Sequence, residues 1–100
     1  MAEALILEFT GVGPAEYDAV NAKLGIDLAA KDGNWPVGLT SHAAGTDESR
    51  GTFVVVEVWS SREAQAAFME SHLGAALAAV GVSAPEVRWV PLVAYHCLET

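Results

Sequence analysis

The sequence VEVWSSREAQAAFMESHLG (residues 56–74) joins a β-strand pattern directly to a helix pattern. Alternating valines lead to Trp59, and Ser60 followed by Glu63 has the spacing of a capping box that opens a helix. The apolar spacing of this helix then shifts at His72–Gly74. The pattern predicts a strand–helix unit whose helix kinks or breaks near that point.

The remaining segments complete a β-α-β-β-α-β order. The predicted strands are 3–10, 37–44, 51–60 and 86–97, and the first helix covers about 14–24. Right-handed crossovers then give an α+β, ferredoxin-like fold. It has a four-stranded antiparallel sheet in the order 4-1-3-2, strands one and three central and parallel, and both helices on one face. Pro91 predicts that the last strand is an edge strand or has a bulge, because proline lacks a ladder donor.

The composition is rich in apolar residues for so short a chain. The chain has 100 residues, which indicates one domain over 1–100, and 52% of them are hydrophobic. The second face of the predicted sheet is also apolar, so a second copy covering it would bury surface that a monomer leaves wet. We therefore expect a homodimer. The alternative is that abundant alanine inflates the apolar fraction without creating large patches.

Charge excludes two classes of partner. The net charge is −8, with five Lys+Arg against thirteen Asp+Glu, so we expect neither nucleic acid nor an anionic membrane surface as a partner. The N-terminal residues lack the basic start of a signal peptide, and no apolar run approaches a membrane span. Cys97 has no second cysteine to pair with in the chain. These features predict a soluble cytoplasmic protein.

Several residues of the opening stretch match a known family pattern. They are Trp59, the Ser-Ser-Arg-Glu-Ala run at 60–64, Phe68 and the Ser-His-Leu run at 71–73. This combination resembles the strand-to-helix signature of the antibiotic biosynthesis monooxygenase family, which belongs to the dimeric α/β barrel superfamily. The predicted order of elements matches that superfamily along nearly the whole chain.

The resemblance implies a dimer of ferredoxin-like protomers with a ligand cavity between sheet and helices. Some members of the family oxidise aromatic polyketides with oxygen and use no metal or flavin, and others degrade haem. The haem-degrading members pair an Asn on strand one with the Trp and the His. Trp59 and His72 match here, but strand one offers Glu8 and no Asn. We therefore expect no haem turnover, no other cofactor and no metal site.

Two glutamates in the central predicted strands are surrounded by apolar residues. Strand alternation places Glu8 on the other face from Leu5, Leu7 and Phe9, and Glu57 on the other face from Val54, Val56 and Val58. If these leucines and valines face the helices, both carboxylates face the cavity between two sheets. A buried carboxylate needs a partner. The available partners are His42, His96 and Arg88. In one interpretation the two glutamates form a polar floor of the cavity, which binds a ligand or supplies acid and base groups. In the other they form satisfied ion pairs at a solvated barrel mouth.

The other candidates also have two interpretations each. His72 suits proton transfer at neutral pH, or it caps helix carbonyls at the predicted bend. Trp59 is either part of the core or cavity wall, or it stacks on a ligand, and Trp35 is either a lid packed on the core or a binding residue. The candidate catalytic residues are therefore His72, Glu57 and His42, and the candidate ligand-binding residues are Glu8, Trp59, Phe53, His96 and Trp89.

Two functions of different classes remain open. One is a cofactor-independent monooxygenase that holds an aromatic, polyketide-like substrate while a His or Glu removes a proton. The other is a non-catalytic dimer that binds a small ligand or is associated with stress. An enzyme needs an enclosed cavity with a titratable group at its wall, so the cavity discriminates between them.

Overall fold

The computed structural model describes residues 2–26 and 35–96. The elements in this part of the chain are β1 (Glu3–Thr10), α1 (Pro14–Leu24), β2 (Leu39–Asp47), β3 (Thr52–Trp59), α2 (Arg62–Phe68), a π-helical turn (Met69–Leu73), α3 (Gly74–Val80) and β4 (Glu86–Pro91). The predicted order is confirmed, and β1 and α1 have their predicted bounds. Strand β2 lies two to three residues later than predicted. Strand β4 ends at Pro91 rather than at residue 97, which is outside the described residues.

The sheet has the order β2-β3-β1-β4, and every neighbouring pair is antiparallel. The predicted parallel arrangement of β1 and β3 is wrong. The α1 crossover returns the chain so that β2 runs in the direction of β1, and the hairpin after β2 reverses β3. The predicted strand order and the edge position of Pro91 are confirmed, because β4 is an outer strand and Pro91 is its last residue.

One face of the sheet forms the core with the helices. Strand register pairs Leu5 with Glu57 and Leu7 with Val55, and directly opposed residues share a face. Leu5 is fully buried. The buried cluster on this face combines Leu5, Leu7, Phe9, Phe53, Val55 and Trp59 of the sheet with Val20 of α1 and Ala76 and Leu77 of α3.

Two contacts fix the start of α2, one within the helix and one with the segment before β2. Ser61, rather than the predicted Ser60, is the N-cap, and its hydroxyl accepts a bond from the Ala64 amide at 3.1 Å. The amide of Ser60 donates instead to the Gly38 carbonyl at 2.7 Å. Gly38 has φ +93°, and a Cβ there would lie 2.6 Å from the Ala64 Cβ. Only glycine fits this contact between the segment before β2 and α2.

The predicted irregularity in the second helix is a π-helical turn. The Gly74 amide donates to the Met69 carbonyl, five residues back, and α3 continues directly from the turn. The Ser71 hydroxyl donates to the Ala67 carbonyl, a contact that often bends a helix. The helix therefore widens at this point and does not break. Turns of this kind occur frequently at functional sites.

Candidate functional site

A cavity of about 60 Å³ lies between the helix-covered face of the sheet and the helices. Most of its wall is apolar. Members of that wall include Leu7, Val20, Trp35, Phe53, Val55 and Leu77. Polar side chains interrupt it where Tyr17, His42 and Glu57 meet. A mostly apolar hollow with a few convergent polar groups is the usual form of a small-molecule site.

Tyr17, His42 and Glu57 form a continuous hydrogen-bonded chain that continues to Trp59. The Tyr17 hydroxyl lies 2.6 Å from His42 Nε2, and His42 Nδ1 lies 3.0 Å from Glu57 Oε2. Trp59 Nε1 donates to Glu57 Oε1 at 2.8 Å. The chain brings together α1, β2 and β3. His42 and Glu57 are directly opposed in the β2–β3 register, so the pairing of these two strands sets their contact.

The electrostatics assign the direction of these bonds. Burial raises the pKa of the Tyr17 phenol, and the charge of Glu57 acts in the same direction. Glu57 as an ionised carboxylate can only accept from His42 Nδ1, so the lone pair of the neutral imidazole lies on Nε2 and the Tyr17 hydroxyl donates there. A neutral imidazole that accepts at Nε2 carries its hydrogen on Nδ1, and that hydrogen points at Glu57. Glu57 accepts from both His42 and Trp59, which fixes the tautomer and the orientation of the imidazole.

Aromatic rings lie beside the hydrogen-bonded residues Tyr17 and His42. The Trp35 ring centroid lies 4.8 Å from that of His42, and the Phe53 centroid lies 5.1 Å from that of Tyr17. The Tyr17 and His42 rings are stacked at 6.0 Å with 20° between their planes. Flat rings in these positions suit contact with a planar ligand, because offset aromatic packing is favourable at such distances.

The predicted site residues divide between this cavity and other places. His42, Glu57 and Phe53 line the cavity, and Trp59 is 1% exposed behind Glu57. Trp89 packs against the edge of the core, with the Arg62 guanidinium 5.2 Å above its ring.

The two other predicted histidines lie elsewhere. His72 is exposed on the π-helical turn, 6.1 Å from the Phe68 ring, and borders an adjoining groove that shares Trp35 and Phe68 with the cavity wall. His96 is exposed in the segment after β4. Neither residue belongs to the wall around His42.

The predicted placement of both glutamates on one face is wrong for Glu57. Glu57 opposes Leu5 and lies on the helix-covered face, whereas Glu8 opposes Val54 on the open face. Strand β3 is apolar on both sides, and its larger set, which includes Phe53, packs under the helices and takes Glu57 with it. The predicted pairing of a glutamate with His42 is observed for Glu57.

Glu8 has partners that the sequence did not indicate. Arg50 Nε donates to Glu8 Oε2 at 2.6 Å, and the Thr52 hydroxyl donates to the same oxygen at 2.7 Å. The bond from Arg50, followed by that from Thr52, lowers the pKa of Glu8. Glu8 therefore belongs to a surface ion pair and not to the cavity.

Tyr17 is the site residue that the sequence did not single out. Its spacing to Val20 and Leu24 indicated only a helix face, and its partner His42 is 25 positions away. No local pattern signals such a contact. Among residues 2–26 and 35–96, no group of three or more His, Cys, Asp or Glu side chains is placed to hold a metal ion. In the same part of the chain, no helix has the length and apolar character to cross a membrane.

No family model matches the sequence, and no curated protein sequence matches it. Solved structures do match it along nearly its whole length. A Chloroflexus aurantiacus protein assigned by name to the antibiotic biosynthesis monooxygenases has a TM-score of 0.64 and 22% identity, covering 99% of this chain and 100% of its own. The chain has the fold of these proteins.

Two further solved structures share that fold. SnoaB from Streptomyces nogalater, named a cofactor-independent oxygenase, has a TM-score of 0.58 and 19% identity, with 99% of this chain and 97% of SnoaB covered. The NE2512 protein of unknown function from Nitrosomonas europaea has a TM-score of 0.65 and 21% identity, with 99% and 96% covered. At these identities the likeness establishes the fold, as the sequence resemblance predicted, and leaves the activity to the site.

Proposed function

We propose that the protein is a cofactor-independent oxygenase that acts on an electron-rich aromatic substrate, with His42 as the general base. One observation carries the proposal: His42 lies in the wall of a mostly apolar cavity, with Nε2 against the exchangeable Tyr17 hydroxyl and Nδ1 held by Glu57. A carboxylate behind an imidazole orients the ring and stabilises the imidazolium that forms on proton uptake. The fold shared with SnoaB supports the choice of oxygen as co-substrate.

The reaction needs only a base, the substrate and oxygen. His42 removes a proton from a carbon that is flanked by aromatic rings, and the resulting carbanion is delocalised over those rings. The carbanion transfers one electron to oxygen, and the two radicals combine to a peroxide anion at the same carbon, which takes the proton back from the His42 imidazolium. Loss of water then converts the original CH₂ group to a ketone. One O₂ is consumed for each water and each ketone formed, and the apolar wall keeps bulk water away from the carbanion.

The size of the cavity constrains how such a substrate enters. Its volume is about 60 Å³, whereas an engineered apolar cavity of about 150 Å³ binds benzene. An aromatic substrate therefore has to displace part of the wall. Trp35 is the ring that lies over His42 from the segment before β2, and its movement would open the cavity beside the base.

Oxygen uptake with anthrone tests the proposal, since the CH₂ group of anthrone lies between two aromatic rings. We expect stoichiometric uptake and anthraquinone formation, with a rate about 10²-fold lower or more in His42→Ala because a general base is lost. His72→Ala is the control, because His72 is exposed and does not line the cavity, and it should retain the rate. No uptake by the unmodified protein, or equal rates in His42→Ala, would reject an oxygenase that uses His42.

The alternative is a non-catalytic protein that binds a small ligand in the same cavity. It is favoured by the Tyr17 hydroxyl, which occupies His42 Nε2 in the ligand-free structure. Saturable binding of anthrone without oxygen uptake would support this alternative. The same oxygen electrode and a parallel binding titration distinguish the two functions.

We further propose that the chain forms a homodimer through the open face of the sheet. This face carries Ile6, Val54, Val56 and Val90, and Val56 and Val90 are 43% and 41% exposed. Each 100 Å² of apolar surface buried there contributes roughly 2.5 kcal/mol. Light scattering should show twice the 10.5 kDa chain mass, and a monomer at micromolar concentration would contradict the proposal.

A further inference from the structure

The Nε2 atom of the candidate base already has a hydrogen-bond partner, the Tyr17 hydroxyl. A neutral imidazole has a single lone pair, on the nitrogen that carries no hydrogen. In His42 that lone pair, on Nε2, accepts the Tyr17 hydroxyl at 2.6 Å. A second donor can reach Nε2 only when the Tyr17 hydroxyl moves away. Binding at this point is therefore a replacement of one hydroxyl by another.

We propose that Tyr17 marks a subsite for an acidic hydroxyl group, so that the cavity selects phenols and enols whose O–H replaces the tyrosine hydroxyl on His42. Tyr17 is then a specificity-determining residue. The inference rests on the proposed role of His42 and adds a chemical class of ligand to it.

The surroundings of Tyr17 support a phenol as the replacement. The Tyr17 phenol itself shows that an aromatic hydroxyl fits against His42, and Trp35 and Phe53 lie beside this pair at 4.8 and 5.1 Å. Burial raises the pKa of Tyr17, so a more acidic phenol is the stronger donor to the same nitrogen. An aromatic hydrocarbon brings no donor and would leave Nε2 unpaired if it displaced Tyr17, which costs free energy in an apolar site.

The replacement also has a defined proton balance. The ligand oxygen loses its proton to His42 Nε2, the Nδ1 hydrogen stays with Glu57, and the products are a phenolate and an imidazolium. No other reactant takes part. The negative charge on the ligand is then next to the positive imidazolium, and Glu57 lies on the far side of the ring.

Matched ligands that differ by one hydroxyl test the inference. Calorimetry would compare p-cresol with toluene in the unmodified protein and in Tyr17→Phe, which keeps the ring against Phe53 and removes only the competing donor. We expect p-cresol to bind about fivefold more tightly to Tyr17→Phe, from the worth of one hydrogen bond, and toluene to bind equally to both. Tyr95→Phe is the matched control, because the Tyr95 hydroxyl contacts the Thr40 carbonyl at the edge of the sheet, and it should change neither affinity.

A second readout reports the proton directly. 4-Nitrophenol absorbs differently as a neutral phenol and as a phenolate, so binding should raise the phenolate band in the unmodified protein and more strongly in Tyr17→Phe, but not in His42→Ala. Equal changes for p-cresol and toluene, weaker binding of p-cresol to Tyr17→Phe, or no binding of p-cresol to either protein would overturn the inference. Neither readout depends on oxygen. A protein that selects phenols but consumes no oxygen would reject the oxygenase and keep the subsite.

Discussion

Glu8 and Glu57 lie on adjacent central strands, but on opposite faces of the sheet. Glu57 is beneath the helices and is held by His42 and the Trp59 indole, all within the buried part of the fold. Glu8 is on the open face and is held by Arg50, whose side chain is 60% exposed. Both carboxylates are fully partnered, yet only one of them adjoins a cavity.

The comparison shows that the partner and the solvent decide what a carboxylate does. An exposed ion pair with arginine is screened by water and contributes little. A carboxylate that meets neutral donors away from water orients those donors and shapes their protonation. The helix-covered face is therefore the one suited to ligand binding and catalysis, and the open face is the one suited to dimer formation.

The largest expected effect separates these two roles. Val56→Lys places a charge in the apolar open face and should convert a dimer to a single 10.5 kDa chain, because covering a lysine with the apolar face of a second copy removes its charge from water. Light scattering measures the mass. Val37→Lys is the control, since Val37 is 93% exposed beside the helices, and it should leave the mass unchanged. A Val56→Lys protein that keeps its mass would move the interface away from the open face.

The same substitution on the two faces should have unequal effects on stability. Glu57→Gln removes the carboxylate that accepts from both His42 and Trp59 and should lower the free energy of unfolding by about 2 kcal/mol, the worth of a buried hydrogen bond to a charged group. Glu8→Gln should lower it much less, because Arg50 returns to solvent. Urea denaturation of both variants measures the difference. Equal losses would mean that burial does not distinguish the two glutamates.

The smallest effects should appear at opposite ends of the pH range. The pKa of Glu8 is lowered from 4.5 by the bond from Arg50, so its stabilisation is present above 4.5 and is lost as the pH falls through the lowered value. The pKa of Tyr17 is raised from 10.0 by burial, so its stabilisation is present below 10.0 and is lost as the pH rises through the raised value. Glu8→Gln should reduce the acid-side loss and Tyr17→Phe the alkaline-side loss in urea titrations. Parallel curves for all three proteins would contradict both assignments.

The sequence predicted the order of elements and the strand order because hydrophobic period and turn residues are local signals. It did not identify the buried face of β3, since valines on one side and Phe53, Val55 and Trp59 on the other are both apolar. Only the register with β1, which sets Glu57 against Leu5, decides this point. The direction of β3 also depends on the hairpin and crossover together, and not on any residue within the strand.

The candidate site was predicted only in part for a similar reason. His42 and Glu57 were named as partners because both lie in strands and carry complementary groups. Tyr17 approaches them from α1, and its contact with His42 depends on how the helix packs on the sheet. His72 stood out because it follows a recognisable family pattern, but the π-helical turn leaves it exposed. His72 lies in a family sequence pattern and could be predicted as a candidate, whereas Tyr17 lies on a helix face with no such pattern and could not.

Gly38 limits which substitutions the strand–helix junction tolerates. Its positive φ and the 2.6 Å approach to the Ala64 Cβ exclude every side chain, while its carbonyl receives the Ser60 amide. Position 38 and position 64 are therefore physically coupled, since a side chain at the first or a larger one at the second would enter the space of the other. The three atoms nearest to a Cβ at this position belong to Ala64, Ser60 and Trp59. One glycine therefore constrains the end of β3 and the start of α2 together.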